Sequence, residues 1–182
     1  MSAFGFMGHG AIRATAILAM ALGVLAACAG DRDPPAGDPS FYQSLAVAGA
    51  TLDAPTAAQM ISGYRANNGL SAVSVDPALM KLAEAQARAM AARDKLDHDV
   101  VRGFTARLQA SGYDAKVAAE NIGAGYHTLA EAFSGWRDSP PHRKNMLLSG
   151  ATQIGIAAAY APKSKYKVFW ALILAAPDKG RR

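Results

Sequence analysis

The sequence has one cysteine, four histidines and 18% charged residues in 182 positions. One cysteine excludes an intramolecular disulfide, so the core alone must stabilise the fold. The low charge argues against a disordered chain, and the 51% of hydrophobic residues suffice for a packed core. The net charge of +5 comes without aromatic residues interleaved among the bases. We therefore expect no nucleic-acid partner, and we expect a monomer.

The chain begins with a segment, residues 1–27, that we interpret as a signal peptide. Arg13 supplies the positive charge, and Thr15 is the only polar residue of the apolar run 14–27. This run is too short to span a bilayer comfortably. It ends in Val-Leu-Ala-Ala-Cys, which resembles a bacterial lipobox. Acylation of Cys28 would then anchor the protein to a membrane of the bacterial cell envelope. The alternative is an ordinary secreted protein.

Composition divides the rest of the chain into three parts. We expect residues 28–52 to form a flexible tether and an arm that lies on the domain, because positions 31–40 are rich in Pro, Asp and Gly. Residues 53–177 carry the periodic apolar pattern of a folded domain. Residues 178–182 form a short basic tail.

Apolar periodicity and capping residues predict the elements of the domain. Helices precede strands and then alternate with them, which favours an α+β layered fold. The clearest helix begins after an Asp76 cap with Pro77 in its first turn. The expected helices are 55–67, 77–95, 103–110, 128–137 and a short one from Pro140. The expected strands are 117–123, 154–160 and 166–175, the last two paired as a hairpin.

Three polar side chains stand out against this apolar background: His98, Glu120 and His142. Two histidines and a carboxylate are the minimum for a divalent metal site or an acid–base site. His98 could instead simply close a helix, and its flanking aspartates would favour its charged form. Glu120 lies in an apolar segment, where it could be a ligand, a general base or a structural hydrogen-bonding centre.

The order of several short motifs resembles the CAP superfamily (SCP/TAPS-like domains), in particular its bacterial envelope lipoprotein branch. The motifs are Tyr-Arg-Ala-Asn-Asn-Gly-Leu at 64–70, His98, Glu-Asn at 120–121, Trp-x-x-Ser-Pro-x-His-Arg-x-Asn-Met-Leu at 136–147, Ile-Gly-Ile at 154–156 and Phe-Trp at 169–170. The resemblance implies a three-layer α-β-α sandwich with an open cleft. It places His98, His142 and Glu120 in that cleft.

The resemblance also has a gap. Animal members carry a second cleft glutamate just after the tryptophan that corresponds to Trp136, whereas this chain has Asp138 and Ser139 nearby. The fourth position of the cleft is therefore open. Further residues are assigned to the structure of the cleft, namely Asn121, Trp136, Asp138, Ser139 and Asn145.

Two functions compete. The first is a lipid-anchored, extracytoplasmic binding module whose cleft holds a divalent metal such as zinc, or a small envelope ligand (a lipid, glycan or peptide). The second is a zinc-dependent hydrolase of the envelope, in which His98, Glu120 and His142 would be catalytic. The sequence contains no HExxH motif and no nucleophilic serine elbow. We therefore favour binding. A purely structural envelope protein is a third reading.

Overall fold

A computed structural model describes residues 38–178 and Gly180. The predicted signal peptide 1–27, the predicted lipidation residue Cys28 and the predicted tether up to residue 37 lie outside the described residues, as does most of the basic tail. Within the described part, no helix is both long enough and apolar enough to cross a membrane.

The described part contains five α-helices, a short 3-10 helix and four strands, which match the predicted order closely. The helices are the 3-10 turn Ser40–Tyr42, α1 Ala54–Ala66, α2 Pro77–Arg93, α3 Phe104–Ala110, α4 Leu129–Asp138 and α5 Pro140–Met146. The strands are β1 Ser74–Val75, β2 Ala115–Ala124, β3 Gln153–Tyr160 and β4 Val168–Pro177. The expected fold class, α+β, is confirmed.

The helices begin where capping side chains satisfy their first free amides. The Asp76 carboxylate accepts hydrogen bonds from the amides of Ala78 and Leu79, both at 2.9 Å, and so starts α2. Thr128 and Glu131 form a complete capping box at the start of α4. Helix α2 ends at Arg93 rather than at Lys95, because Asp94 adopts a left-handed conformation with φ of 47°.

The four strands form one mixed sheet in the order β1-β3-β4-β2. Strands β3 and β4 pair antiparallel, which confirms the predicted hairpin, and β2 pairs antiparallel with the other side of β4. The two-residue strand β1 was not predicted, and it runs parallel to the start of β3. Strand β4 is therefore central.

Helices cover both faces of this sheet and make three layers. Alternate residues of β4 point to opposite faces: Trp170 packs with α1, α4 and α5, while Phe169 packs with α2 and α3. A Cβ atom on Gly155 of β3 would lie 2.2 Å from the backbone of Leu79, so glycine lets α2 approach the sheet. The predicted three-layer α-β-α sandwich is confirmed.

The segment 38–53 lies against the α1 and α4 layer. Leu45 is buried, and its amide donates to the carbonyl of His127 at 2.7 Å. The Ser40 hydroxyl donates to the Asp53 carboxylate at 2.8 Å. This arm therefore packs on the domain at Ser40 and at Leu45.

Candidate functional site

The candidate site is built from the loop after α2, strand β2 and the first turn of α5. His98 lies in that loop, Glu120 on β2 and His142 in α5. The Nδ1 atom of His98 lies 2.8 Å from a carboxylate oxygen of Glu120. The Glu120 side chain is buried, whereas that of His98 is 49% exposed. The structure thus brings together two of the predicted residues, with the imidazole facing solvent.

The third group at Glu120 is Arg107, which the sequence did not single out. Its Nη2 atom lies 2.8 Å from both carboxylate oxygens. The Arg107 side chain is 11% exposed and that of Glu120 is 1% exposed, so the ion pair is nearly dry. Burying a carboxylate costs free energy unless it is paired, and Arg107 supplies that partner. Both oxygens of Glu120 are therefore already engaged.

The backbone of His98 is held as firmly as its ring. The buried Gln86 of α2 donates through Nε2 to the carbonyls of Asp97, at 2.9 Å, and of His98, at 3.2 Å. Arg107 Nη2 also lies 3.3 Å from the His98 carbonyl. These contacts fix the loop by its main chain and thereby help to position the imidazole.

His142 is positioned differently. Its Nδ1 atom lies 2.9 Å from the Ser139 hydroxyl, and its backbone carbonyl accepts a hydrogen bond from Asn121 at 2.9 Å. Asn145 donates to the Glu120 carbonyl at 3.1 Å and to the Asn121 side chain at 2.9 Å. The two asparagines thereby tie α5 to β2 and set the position of His142 beside the strand that carries Glu120.

The remaining predicted cleft residues do not touch these imidazoles. Trp136 is buried, and its indole N–H donates to the Ile122 carbonyl at 3.1 Å, so it belongs to the core. Asp138 pairs with its exposed neighbour Arg137 at 2.8 Å, and this pairing lowers the pKa of the Asp138 carboxyl. No contact joins Asp138 to His98, Glu120 or His142 among the described residues.

The surroundings shift the two histidines in opposite directions. The hydrogen bond to Glu120 raises the pKa of His98 above its ordinary 6.5, against the effect of partial burial. Asp99 adds a smaller contribution in the same direction, so the predicted sign was right but Glu120 is its main source. Burial lowers the pKa of His142, and the charge of His98 lowers it further. The two rings therefore lie close enough to interact electrostatically.

These donors can be compared with what a divalent metal requires. Zinc binds the nitrogens of neutral imidazoles. Each Nδ1 here already has a protein partner, which leaves the lone pair of each Nε2 free to bind a metal. Glu120 would have to leave Arg107 to become a ligand. Across residues 38–178, no group of three or more His, Cys, Asp or Glu side chains is arranged around a common metal position. The residues fit a two-histidine site better than a three-ligand one.

The sequence of the chain is similar to those of known proteins. Residues 58–174 match the CAP profile, described as the cysteine-rich secretory protein family. The uncharacterised protein YkwD of Bacillus subtilis is 30% identical over 107 residues, which are 54% of this chain and 39% of that protein.

Solved structures show the same fold. An extracellular Bacillus anthracis protein containing an SCP domain matches with a TM-score of 0.58 and 23% identity, over 66% of this chain and 39% of that one. An outer surface protein of Borrelia burgdorferi matches with a TM-score of 0.61 and 16% identity, over 71% of this chain and 99% of that one. The chain thus spans about two fifths of the length of the Bacillus relatives.

Proposed function

Because the chain belongs to the CAP family, we propose that it is an extracytoplasmic binding module whose cleft holds a divalent transition metal between His98 and His142. The observation that carries this proposal is that each ring has its Nδ1 atom occupied by a protein oxygen and its Nε2 atom open. This is the arrangement in which protein groups orient metal-binding imidazoles.

In this proposal Glu120 is a positioning residue rather than the third ligand that its sequence position suggested. Its carboxylate accepts the Nδ1–H of His98, which places the lone pair of the neutral ring on Nε2. Arg107 keeps that carboxylate in place and offsets its charge. Small ligands or water would complete the coordination, so a bound metal would present open positions to an envelope ligand such as a lipid, glycan or peptide.

The ion pair between Arg107 and Glu120 favours binding over the alternative of a zinc-dependent hydrolase. A metal-bound water needs a nearby base to accept its proton. The predicted base, Glu120, is held through both oxygens by Arg107, and Asp138 pairs with Arg137. Binding therefore remains the better-supported function, with hydrolysis as the alternative.

Titration calorimetry tests the metal site. Zinc added to residues 29–182 should bind saturably, and His98→Ala or His142→Ala should each weaken binding by roughly tenfold or more. His127→Ala is the matched control, since it removes an exposed imidazole that lies outside the cleft. Equal heats for the wild type and a His98→Ala/His142→Ala double variant would contradict the proposal.

The pH dependence of binding provides a second readout of the same site. A proton on His98 competes with the metal, and the pKa of His98 is raised from 6.5. Affinity should therefore increase as pH rises from 6.5 through the pKa of His98 and level off above it. An affinity that falls over this interval would argue against His98 as a ligand.

We also propose that Cys28 anchors the domain to a membrane of the bacterial cell envelope, at the periplasmic face or the outer membrane, with an unanchored secreted protein as the alternative. Support comes from the lipobox-like sequence, and the similar solved structures include an extracellular and an outer surface protein. Mass spectrometry of the mature protein should find a diacylglyceryl group on an N-terminal Cys28. An unmodified or uncleaved N-terminus would remove the anchor without affecting the metal proposal.

A further inference from the structure

The two edges of the sheet are protected to different extents. At the β2 edge, outward carbonyls are covered by side chains: Asn145 donates to Glu120 and Trp136 donates to Ile122, both at 3.1 Å. A register shift between Ala115 and Val117 further interrupts this edge. Such features prevent another chain from pairing with an edge strand.

The β3 edge lacks this protection beyond its first residues. Strand β1 pairs only with Gln153 and Ile154. The amide of Ile156 contacts the Met80 sulfur at 3.3 Å. The backbone N–H and C=O groups of successive strand residues point to alternate sides of the strand. Those of Ala158 and Tyr160 therefore point the same way as those of Ile156. No further strand of the described part lies beside them, and β3 carries no charged residue.

A groove follows this open edge, and we call it the β3 groove. Its first part, about 260 Å³, lies between Leu52 of the arm, Met80 of α2 and Ala158. Its second part, about 500 Å³, continues past Tyr160 to the β3–β4 turn. Arg88 lines both parts. Because the arm and α2 lie in different layers, the first part opens at the edge of the sheet rather than on one face.

The lining of the β3 groove restricts what could occupy it. Its floor consists of small residues, among them Ala91, Ala92 and Ala159. Arg88 and Lys163 add two cationic groups. Glu84 pairs with Arg88 at 3.7 Å, and Asp94 accepts a hydrogen bond from Ser164. Among the described residues of the groove, Lys163 is therefore the cation that no carboxylate pairs with.

We propose that the β3 groove binds an extended peptide of about five residues, with small side chains and at least one carboxylate, as an added strand beside Ala158–Tyr160. Five extended residues span about 17 Å. Main-chain hydrogen bonds to Ala158 and Tyr160 would supply affinity, and the small floor and Lys163 would supply selectivity. This site lies at the opposite edge of the sheet from His98 and His142, so it does not depend on the metal proposal.

Selection from a random heptapeptide library displayed on phage, against residues 29–182, tests this inference. The enriched sequences should contain small residues and an acidic one. Fluorescence polarisation of a labelled, synthesised peptide should then show that Ala158→Pro weakens binding about tenfold or more, since proline lacks the N–H and is tolerated at edge strands. Lys163→Glu should weaken binding severalfold.

Controls separate pairing at this edge from general effects. Lys116→Glu makes the same charge reversal on β2, at the other edge, and should leave the affinity within about twofold. If Ala158→Pro does not fold, peptides methylated at alternate amides serve instead: one set of methylations should abolish binding and the other should not.

Three results would overturn the inference. The first is the absence of any enriched sequence. The second is undiminished binding to Ala158→Pro. The third is a concentration-dependent dimer in analytical ultracentrifugation that Ala158→Pro dissolves, which would assign the β3 edge to a second copy of the chain.

Discussion

His98 and His142 are the same side chain in two different settings. His98 faces a buried carboxylate that is itself bound by Arg107, and its backbone is held by Gln86. His142 faces the hydroxyl of Ser139, and no carboxylate of the described residues contacts its ring. The pKa of the first ring is raised by its Glu120 hydrogen bond, and that of the second is lowered by burial.

The difference shows that a pair of cleft histidines need not act symmetrically. A carboxylate accepts only, so it fixes the neutral His98 ring with its proton on Nδ1. A hydroxyl can donate or accept, so Ser139 leaves His142 free to take either tautomer. The pKa of His98 is raised and that of His142 is lowered, so the two rings would respond differently to a metal or a polar ligand approaching from solvent.

The largest expected effect concerns the support of His98. Replacing Arg107 by Met leaves Glu120 buried without its cation, and losing one partner of a buried pair is strongly destabilising. We expect the free energy of unfolding at pH 7 to fall by about 3 kcal/mol, near the low end of that class because His98 remains. The matched change on the other histidine, Ser139→Ala, should cost about 1 kcal/mol or less, since it removes one partly exposed hydrogen bond. Urea denaturation measures both.

A double variant tests whether the stability lost in Arg107→Met comes from the unpaired charge of Glu120. Arg107→Met/Glu120→Met removes both members of the pair and should recover much of the lost stability, because an apolar pair has no desolvation penalty. If Arg107→Met alone stays within 1 kcal/mol of the wild type, the ion pair does not support His98 in the way described here.

Much of the fold and part of the site could be predicted from the sequence, because local signals determine them. Asp76 and the Thr128–Glu131 capping box marked helix starts that the structure confirms. The family motifs also indicated a common cleft for His98 and Glu120. Their 2.8 Å contact agrees with this, while a role for either residue in binding stays a prediction.

What could not be predicted depends on contacts between distant segments. Strand β1 has only two residues and exists because it pairs with β3, about 80 positions away. Arg107 lies on a seven-residue helix whose sequence gives no sign that its guanidinium reaches Glu120. Asp138 lies near the position of the second cleft glutamate of the animal members, yet its carboxylate pairs with the adjacent Arg137 and is exposed.

A smaller effect, on the titration of the rings, sharpens the comparison further. NMR of the ring protons between pH 5 and 9 should show His98 titrating above 6.5 and His142 below it. In His98→Ala, the pKa of His142 should move up toward 6.5 but stay below it, because burial, its main cause, remains. An unchanged pKa would mean that the two rings do not interact.

The same shifts predict opposite pH dependences of stability in the two single variants. The raised pKa of His98 stabilises the fold below 6.5, and this contribution is lost as pH rises through its folded-state pKa. The lowered pKa of His142 works the other way, so its contribution is present above 6.5 and is lost as pH falls through its folded-state pKa. The two partly cancel in the wild type. Thermal unfolding should therefore find that, relative to the wild type, His98→Ala loses more stability in acid and His142→Ala loses more above pH 6.5. Parallel profiles for the two variants would show that both histidines experience the same environment, contrary to the asymmetry of the cleft.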